Sequence, residues 1–253
     1  MKILITGTNG YIGQALLQGL NKEWTLTPLT RQEADLTNFP SLKNFLQDKY
    51  FDVIIHCAVS GGKRTDIDSV DILDNNLQMY YNLIKCREHF GKFIYFGSGA
   101  EKQDTFYGLS KKVMLESIQG KDNFYNIRVY AVFDEFELDS RFIKTNIKKY
   151  LQKEPISIFK NKTMDFFYME DLILLVEHYI STDILPKEID CTYNSSETLL
   201  SIAQKINTLD NYTVPIILQS EDMDSPYNGT FVDLGIKYIG LLRGIEQTYQ
   251  RLK

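Results

Sequence analysis

The chain has 253 residues, enough for one α/β domain or for a nucleotide-binding domain with a small added lobe. A composition of 43% hydrophobic and 24% charged residues is that of an ordinary soluble globular protein, and a net charge of -5 offers no basic field for nucleic acid or an anionic membrane. No stretch approaches the roughly 18 apolar residues of a membrane span, and the apolar run at the N-terminus breaks at Gly7, too early for a signal peptide.

In chain order, residues 2–6 read as a buried strand, followed by a helix from near Tyr11. Strands over 24–29, 52–56, 92–97 and 124–130 alternate with helices near 39–48, 69–90 and 105–119. The strands are nearly continuous apolar runs, as expected where helices cover both faces of a parallel sheet. The fold class expected is therefore α/β, a doubly wound parallel sheet. Beyond residue 131 the alternation loosens: a helix near 140–153, strands over 156–159 and 164–168, a helix over 169–181, short elements around Pro186, Pro215 and Pro226, and a last helix near 241–252. This predicts a nucleotide-binding domain over 1–160. Residues 161–253 complete the sheet and form a small C-terminal substrate lobe.

Cys57, Cys86 and Cys191 are few and widely spaced, which fits reduced thiols and a cytoplasmic location. His56, His89 and His178 share no metal-ligand spacing with each other or with the cysteines, so no metal site is expected.

Gly7-Thr8-Asn9-Gly10-Tyr11-Ile12-Gly13 joins the first strand to the first helix. In that context Gly7 permits a tight turn, Gly10 lets backbone approach a pyrophosphate, and Gly13 lets the helix pack close to the strand. The helix start then offers amides to phosphate. A glycine-rich turn without a ligand is the plain alternative. Arg31 follows the second strand, where an NAD enzyme usually carries an acid; a guanidinium suits a 2′-phosphate and favours NADP(H), with NAD(H) still possible. A solvated surface arginine is the alternative there.

Tyr107 and Lys111 stand four apart on a predicted helix and so share a face. An ammonium beside the phenol favours its ionised form and fits Tyr107 to pass a proton to a carbonyl oxygen. Ser98 closes the fourth strand, at the strand end that faces the ligand crevice, and is placed to hold that oxygen. Alternatively it is a turn serine bonded to its own backbone.

These motifs resemble the extended short-chain dehydrogenases/reductases, the sugar-nucleotide epimerase/dehydratase family with its TGxxGxxG loop. The resemblance runs through most of the chain. Asp35-Leu36 is similar to the pair that touches the adenine. Asp52 to Ala58 resembles the third strand, whose end, Cys57, Ala58 and Val59, lines the cofactor. Asn75-Asn76-Leu77 resembles the Asn-bearing helix start, with Asn76 at the cofactor, and Met164 to Leu172 resembles a late family stretch. The resemblance implies a Rossmann fold, an NAD(P)-dependent oxidoreductase, a catalytic Ser98–Tyr107–Lys111 set, Lys111 also reaching the nicotinamide ribose, and a homodimer through the helices at 69–90 and 105–119.

Closer features are similar to the GDP-fucose synthases. The run Thr30 to Leu36 resembles their 2′-phosphate segment, and Val59-Ser60-Gly61-Gly62-Lys63 their glycine pair, which implies substrate contacts at Gly61 and Lys63. Those enzymes epimerise with a cysteine two residues beyond the serine and a later histidine. Here Ala100 and Arg141 take those positions, so epimerisation is put in doubt while ketone reduction stays intact. Arg141 could clamp a substrate diphosphate or pair with the acids between Asp134 and Asp139. In size the chain is nearer the similar dehydrorhamnose reductases. The function expected is NADPH-dependent reduction of a nucleotide-linked keto-deoxysugar. An epimerase or dehydratase that keeps its NAD(P) bound is the alternative. A sensor that binds NADP without chemistry is a third, opposed by the intact Tyr107–Lys111 pair.

Overall fold

The computed structural model describes residues 1–62 and 67–253. The elements are β1 (Lys2–Thr6), α1 (Tyr11–Gly19), β2 (Thr25–Leu29), α2 (Phe39–Leu46), β3 (Phe51–His56), α3 (Val70–Lys85), β4 (Phe90–Ser98), α4 (Phe106–Ile118), β5 (Phe124–Val129), β6 (Val132–Phe133), α5 (Phe142–Leu151), β7 (Ile156–Asn161), β8 (Thr163–Met164), β9 (Phe167–Tyr168), α6 (Met169–Ser181), β10 (Glu188–Asp190), β11 (Glu197–Thr198), α7 (Leu199–Ile206), β12 (Ile216–Met223) and α8 (Leu241–Leu252). They divide into two compact units, Met1–Arg128 with Leu175–Ile189, and Val129–Leu174 with Asp190–Lys253.

The first unit is built on a six-stranded parallel sheet in the order β10-β5-β4-β3-β1-β2, with flanking helices. Ile5 of β1 is in register with Pro28 of β2 and Ile55 of β3, and Ile55 with Ile94 of β4. Leu4, Ile54, Phe93, Leu42, Tyr80 and Phe124 belong to one buried cluster that joins sheet to helices. Burial of both sheet faces explains the unbroken apolar strands. Strand order reverses beside β1, whose neighbours are β2 and β3. At such a switch point the loops leaving the carboxyl ends of adjacent strands part and leave a crevice. The loops after β1 and β3 carry the glycines singled out above.

Residues 175–189 stay with the sheet for a definite reason. The buried Lys92 ammonium donates to the carbonyls of Tyr179, Ile180 and Thr182 at 2.8, 3.2 and 2.8 Å, closing the end of α6. A cation on the last carbonyls of a helix satisfies both the hydrogen-bonding and the dipole terms. Burial lowers the Lys92 pKa, and the three carbonyls give its ammonium partners.

In the second unit Ile143, Ile147 and Tyr150 of α5, Ile202 and Ile206 of α7, and Ile245 and Tyr249 of α8 form the core with Ile156 and Ile158 of β7. Three short strand pairs complete it: β7 with β12, parallel, β6 with β9, parallel, and β8 with β11, antiparallel. The first of these units runs to Arg128, and α5 and β7 bury their apolar residues with α7 and α8 in the second. Two expectations are corrected. The helix expected over 69–90 ends at Lys85; Cys86 leaves helical angles (φ -97, ψ 28), and a 3-10 turn over Arg87–His89 sends Phe90 into β4. The strand expected over 164–168 is broken into β8 and β9 around Asp165, whose carboxylate accepts from Gly229 N instead.

Candidate active site

The loop after β1 is a cradle that side chains would fill. Gly7 has φ +68, and a Cβ there would stand 2.5 Å from Ala58 N. A Cβ on Gly13 would stand 2.4 Å from Gly7 O. These contacts bring the β1 and β3 loops together and press α1 against the strand. Gly10 N donates to Gly7 O at 2.9 Å, and Gly7 N to Leu29 O at 3.2 Å, which ties the loop to the end of β2. Gly10 is the N-cap of α1, no side chain among the described residues caps the helix, and no acid stands in its first turn. The amides at the start of a helix have no intrahelical partner, so those of Tyr11, Ile12 and Gly13 suit a phosphate. Asn9 is exposed beside them. The cradle thus fits a dinucleotide pyrophosphate.

Arg31 is exposed just beyond β2. Its guanidinium lowers the Asp35 pKa, though the larger cause is the Thr37 backbone amide at 2.9 Å, reinforced by the Thr37 hydroxyl at 2.8 Å. Asp35 is therefore held in a local turn, and Leu36 is buried in the sheet core.

At the end of β3, Thr6 Oγ1 meets His56 Nδ1 at 2.9 Å and accepts from Ala58 N at 3.2 Å, fixing the path of Cys57 and Ala58. Burial pushes the Cys57 thiol pKa up and that of His56 down to about 3, so both are neutral near pH 7. Val59 is exposed, and Gly61 (φ +75) and Gly62 (φ +87) turn the loop. Asn76 of α3 is buried with its amide fully engaged: it accepts from Ser60 N at 2.7 Å and donates to Ser60 O at 3.0 Å and Ser110 Oγ at 3.1 Å. It clamps the β3 loop to α4. Lys63 lies outside the described residues.

Tyr107 and Lys111 come together on α4. Thr105 caps this helix by accepting from Gly108 N at 2.9 Å. The Lys111 ammonium is buried, donates to Phe96 O at 2.8 Å, and lies 5.8 Å from the centre of the Tyr107 ring. Burial pushes its pKa down to about 8, against the opposing pull of Glu101 and Cys57. Ser98, buried at the end of β4, accepts from Ala100 N at 3.2 Å and so caps the 3-10 turn Gly99–Lys102. That is the turn-serine geometry, and it uses a lone pair rather than the hydroxyl proton.

Two residues not singled out from the sequence, Glu101 and Asp68, join this group together with Gly62 of the glycine pair. Glu101 Oε1 accepts from Ser98 N at 3.1 Å, completing a capping box, and the S-x-x-E spacing was a readable signal for it. Asp68 accepts from Phe106 N at 2.7 Å and Tyr107 N at 3.0 Å, holding the start of α4. Gly62 lies against the Tyr107 ring, where a Cβ would stand 3.0 Å from ring carbons.

In the second unit Arg141 is the N-cap of α5. Asp139, the nearest acid in sequence, pairs instead with Lys144 at 2.9 Å and Lys148 at 2.7 Å, and among the described residues Arg141 forms no ion pair. The buried Glu137 accepts from Lys144 N at 3.1 Å; burial pushes its pKa up to about 8, with the Arg141 charge opposing. Among the described residues no cluster of three or more His, Cys, Asp or Glu could hold a metal, and no helix is long and apolar enough to cross a membrane.

Residues 3–189, carrying the glycine loop, the Tyr107–Lys111 pair and the whole of the parallel sheet up to β10, match the NAD dependent epimerase/dehydratase family. The chain belongs to that family. As a member of this epimerase/dehydratase family it is an NAD(P)-dependent enzyme of the extended short-chain dehydrogenase/reductase type. It is similar to Protein CapI of Staphylococcus aureus, 21% identical over 239 residues that span 74% of this chain and 72% of that one. Among solved structures, a GDP-mannoheptose C4 reductase from Campylobacter jejuni with NADP bound has a TM-score of 0.78 at 18% identity, covering 98% of this chain and 97% of that one. UDP-glucuronic acid 4-epimerase from Bacillus cereus, in complex with UDP-glucuronic acid and NAD, has a TM-score of 0.73 at 20% identity and covers 100% of both chains.

Proposed function

We propose that this protein is an NADPH-dependent reductase of a ketone on a nucleotide-linked deoxysugar. The observation that carries the reading is the buried Lys111 ammonium beside Tyr107, in the unit that also holds the glycine cradle. The bound nicotinamide would supply hydride to the carbonyl carbon. Tyr107 passes its phenolic proton to the carbonyl oxygen, and the Lys111 charge favours the phenolate that results. The Ser98 hydroxyl, whose proton is not spent on its cap, donates to the same oxygen. Arg31 binds the 2′-phosphate and gives NADPH its advantage over NADH. Arg141 binds the substrate diphosphate, a reading supported by the pairing of Asp139, the nearest acid in sequence, with Lys144 and Lys148 instead.

Family relatives include both reductases and epimerases, and residues favour the reductase. Ala100, at the position of an acid–base cysteine in the epimerising enzymes it resembles, can neither accept nor donate a proton. The test is a screen of NADPH oxidation against 4-keto-6-deoxy nucleotide sugars, with the purified protein assayed for retained cofactor. A reductase consumes one NADPH per ketone and releases its product nucleotide. Sugar interconversion on retained cofactor with no net NADPH consumption would sink the reading. A homodimer through α3 and α4 is part of the proposal, supported by exposed Val70, Tyr81, Phe106 and Leu109 on those helices, and light scattering in solution tests it.

A further inference from the structure

Glu101 is a buried acid that the reaction above does not use. Its two oxygens have different tasks. Oε1 accepts from Ser98 N at 3.1 Å, while Oε2 accepts from Arg128 Nε of β5 at 2.7 Å. Arg128 is anchored in turn by Glu188 of β10, Nη2 to Oε2 at 2.6 Å. The chain of charges thus crosses three neighbouring strands and ends on the backbone of β4. Gly97 leaves room for it, since a Cβ at Gly97 would stand 2.4 Å from Glu101 Oε1 and 2.2 Å from Asn126 Oδ1. The strand end held this way presents two groups at once, the Ser98 hydroxyl and the Phe96 carbonyl that receives the Lys111 ammonium.

We propose that Glu101 is a positioning residue for the reaction: held by Arg128, its carboxylate fixes the Phe96–Ser98 strand end and supplies the buried negative charge that keeps Lys111 an ammonium. The proposal rests on the reading of Lys111 as a cofactor-binding cation. A cation and an anion buried in the same low-dielectric region favour each other's charged forms without touching. This agrees with the direction of the Lys111 shifts, in which burial lowers the pKa to about 8 and Glu101 raises it. Among the described residues the other titratable groups around Lys111 are His56 and Cys57 at the end of β3 and Tyr107 on α4; burial keeps His56 and Cys57 neutral at pH 7. Around Glu101 they are Tyr95 of β4, Arg128 and Glu188.

The experiment is NADPH affinity against pH, by fluorescence, for the full chain and for Glu101→Gln, Glu101→Asp and Lys111→Met, each checked for a cooperative thermal transition. Wild-type affinity should fall as pH rises through about 8, as Lys111 loses its proton. Lys111→Met should abolish that fall. Glu101→Gln keeps an oxygen for Ser98 N and removes the charge, so the fall should move down by about half a pH unit or more. Glu101→Asp restores the charge at shorter reach and should return the fall toward its wild-type position. A residue that only capped the turn would weaken folding and leave the position of the fall unmoved. If Lys111→Met keeps the wild-type pH dependence, the cofactor role of Lys111 fails and takes the proposal with it. If Lys111→Met abolishes the dependence and neither Glu101 variant moves it, the proposal alone is overturned.

Discussion

The two units satisfy their backbones by different means. In the first, the parallel ladder from β2 to β10 pairs strand with strand, and the side chains are left for packing and for the loop ends. In the second, the segment between β12 and α8 has no regular structure apart from an isolated bridge, and acidic side chains hold it. Asp165 accepts from Gly229 N at 2.8 Å, Asp190 from Thr230 N at 2.8 Å, and Asp171 from Ile239 N at 2.7 Å and Gly240 N at 2.9 Å. Asp165 and Asp171 are buried, and buried carboxylates are tolerated when several donors face them. A backbone satisfied mostly by its own ladder needs side chains chiefly at loop and helix ends, as from Asp68, Glu101 and Lys92, and leaves Tyr107, Lys111 and the Ser98 proton for chemistry. One pinned by side chains cannot change them without unfolding the loop.

Variants should therefore separate the units, chemistry failing in the first and folding in the second. The largest effect belongs to Tyr107→Phe. One oxygen is removed and the ring that Gly62 packs against is kept. Hydride transfer in a single turnover should slow by about 10²–10⁴, the usual worth of a positioned general acid. NADPH affinity and the thermal midpoint should stay near wild type. A variant that keeps most of its single-turnover rate would end the proposed chemistry.

Arg31→Ala comes next. Losing a charged partner of the 2′-phosphate should narrow the preference for NADPH over NADH by roughly 1.5–3 kcal/mol. Arg31 is exposed, so the fold should not respond. Titrations of wild type giving equal affinities for the two cofactors would remove the premise.

In the second unit Tyr150→Phe should do the reverse. The buried Tyr150 hydroxyl donates to Tyr212 O at 2.8 Å and accepts from Asp210 N at 3.0 Å, and the ring stacks on Tyr212 at 4.5 Å. Leaving those two groups unpaired should cost about 1–3 kcal/mol of stability in denaturant titration. Turnover per folded molecule should hold, and a fall in turnover at unchanged stability would contradict this division of roles.

The same contrast governs what could be read in advance. The glycine loop, the i, i+4 pair on α4 and the apolar strands are local patterns, and β1 to β5 with their helices follow from them. Glu101 was equally local, three residues past Ser98, and legible as a capping box. Asp68 was not, because the amides that it holds are 38 and 39 residues away. Nor was β10, three residues whose place depends on the edge that β5 presents. In the second unit the decisive contacts join residues 40 to 69 positions apart, as Asp190 to Thr230 and Asp171 to Gly240 do, and no periodicity marks an acid that will cap a loop rather than face water. The runs 156–159 and 164–168 suggested strands, but the parallel partner of β7, β12, came from a stretch opened by Pro215 that the pattern left unassigned.

The smallest effect is a pH dependence, and it differs in sign between the units. Glu137, in the second, has a folded pKa of about 8 against an ordinary 4.5. Between those values the folded state holds a proton that the unfolded state has released, so its contribution to stability falls as pH rises across that window. His56, in the first, is pushed down to about 3 from 6.5, so the unfolded state binds the extra proton and stability rises with pH up to about 6.5. Lys111, pushed down from 10.5 to about 8, likewise adds a rise only above pH 8. From about 6.5 to 8 the Glu137 slope therefore stands unopposed by these two. Glu137→Gln keeps an oxygen for Lys144 N and removes the ionisation, so the fall in thermal midpoint across that interval should flatten. Melting curves of the two proteins at pH 6.5 and pH 8 test it. The gap between the variant and wild type should be larger at pH 8, and an equal gap at both would mean that Glu137 does not titrate there.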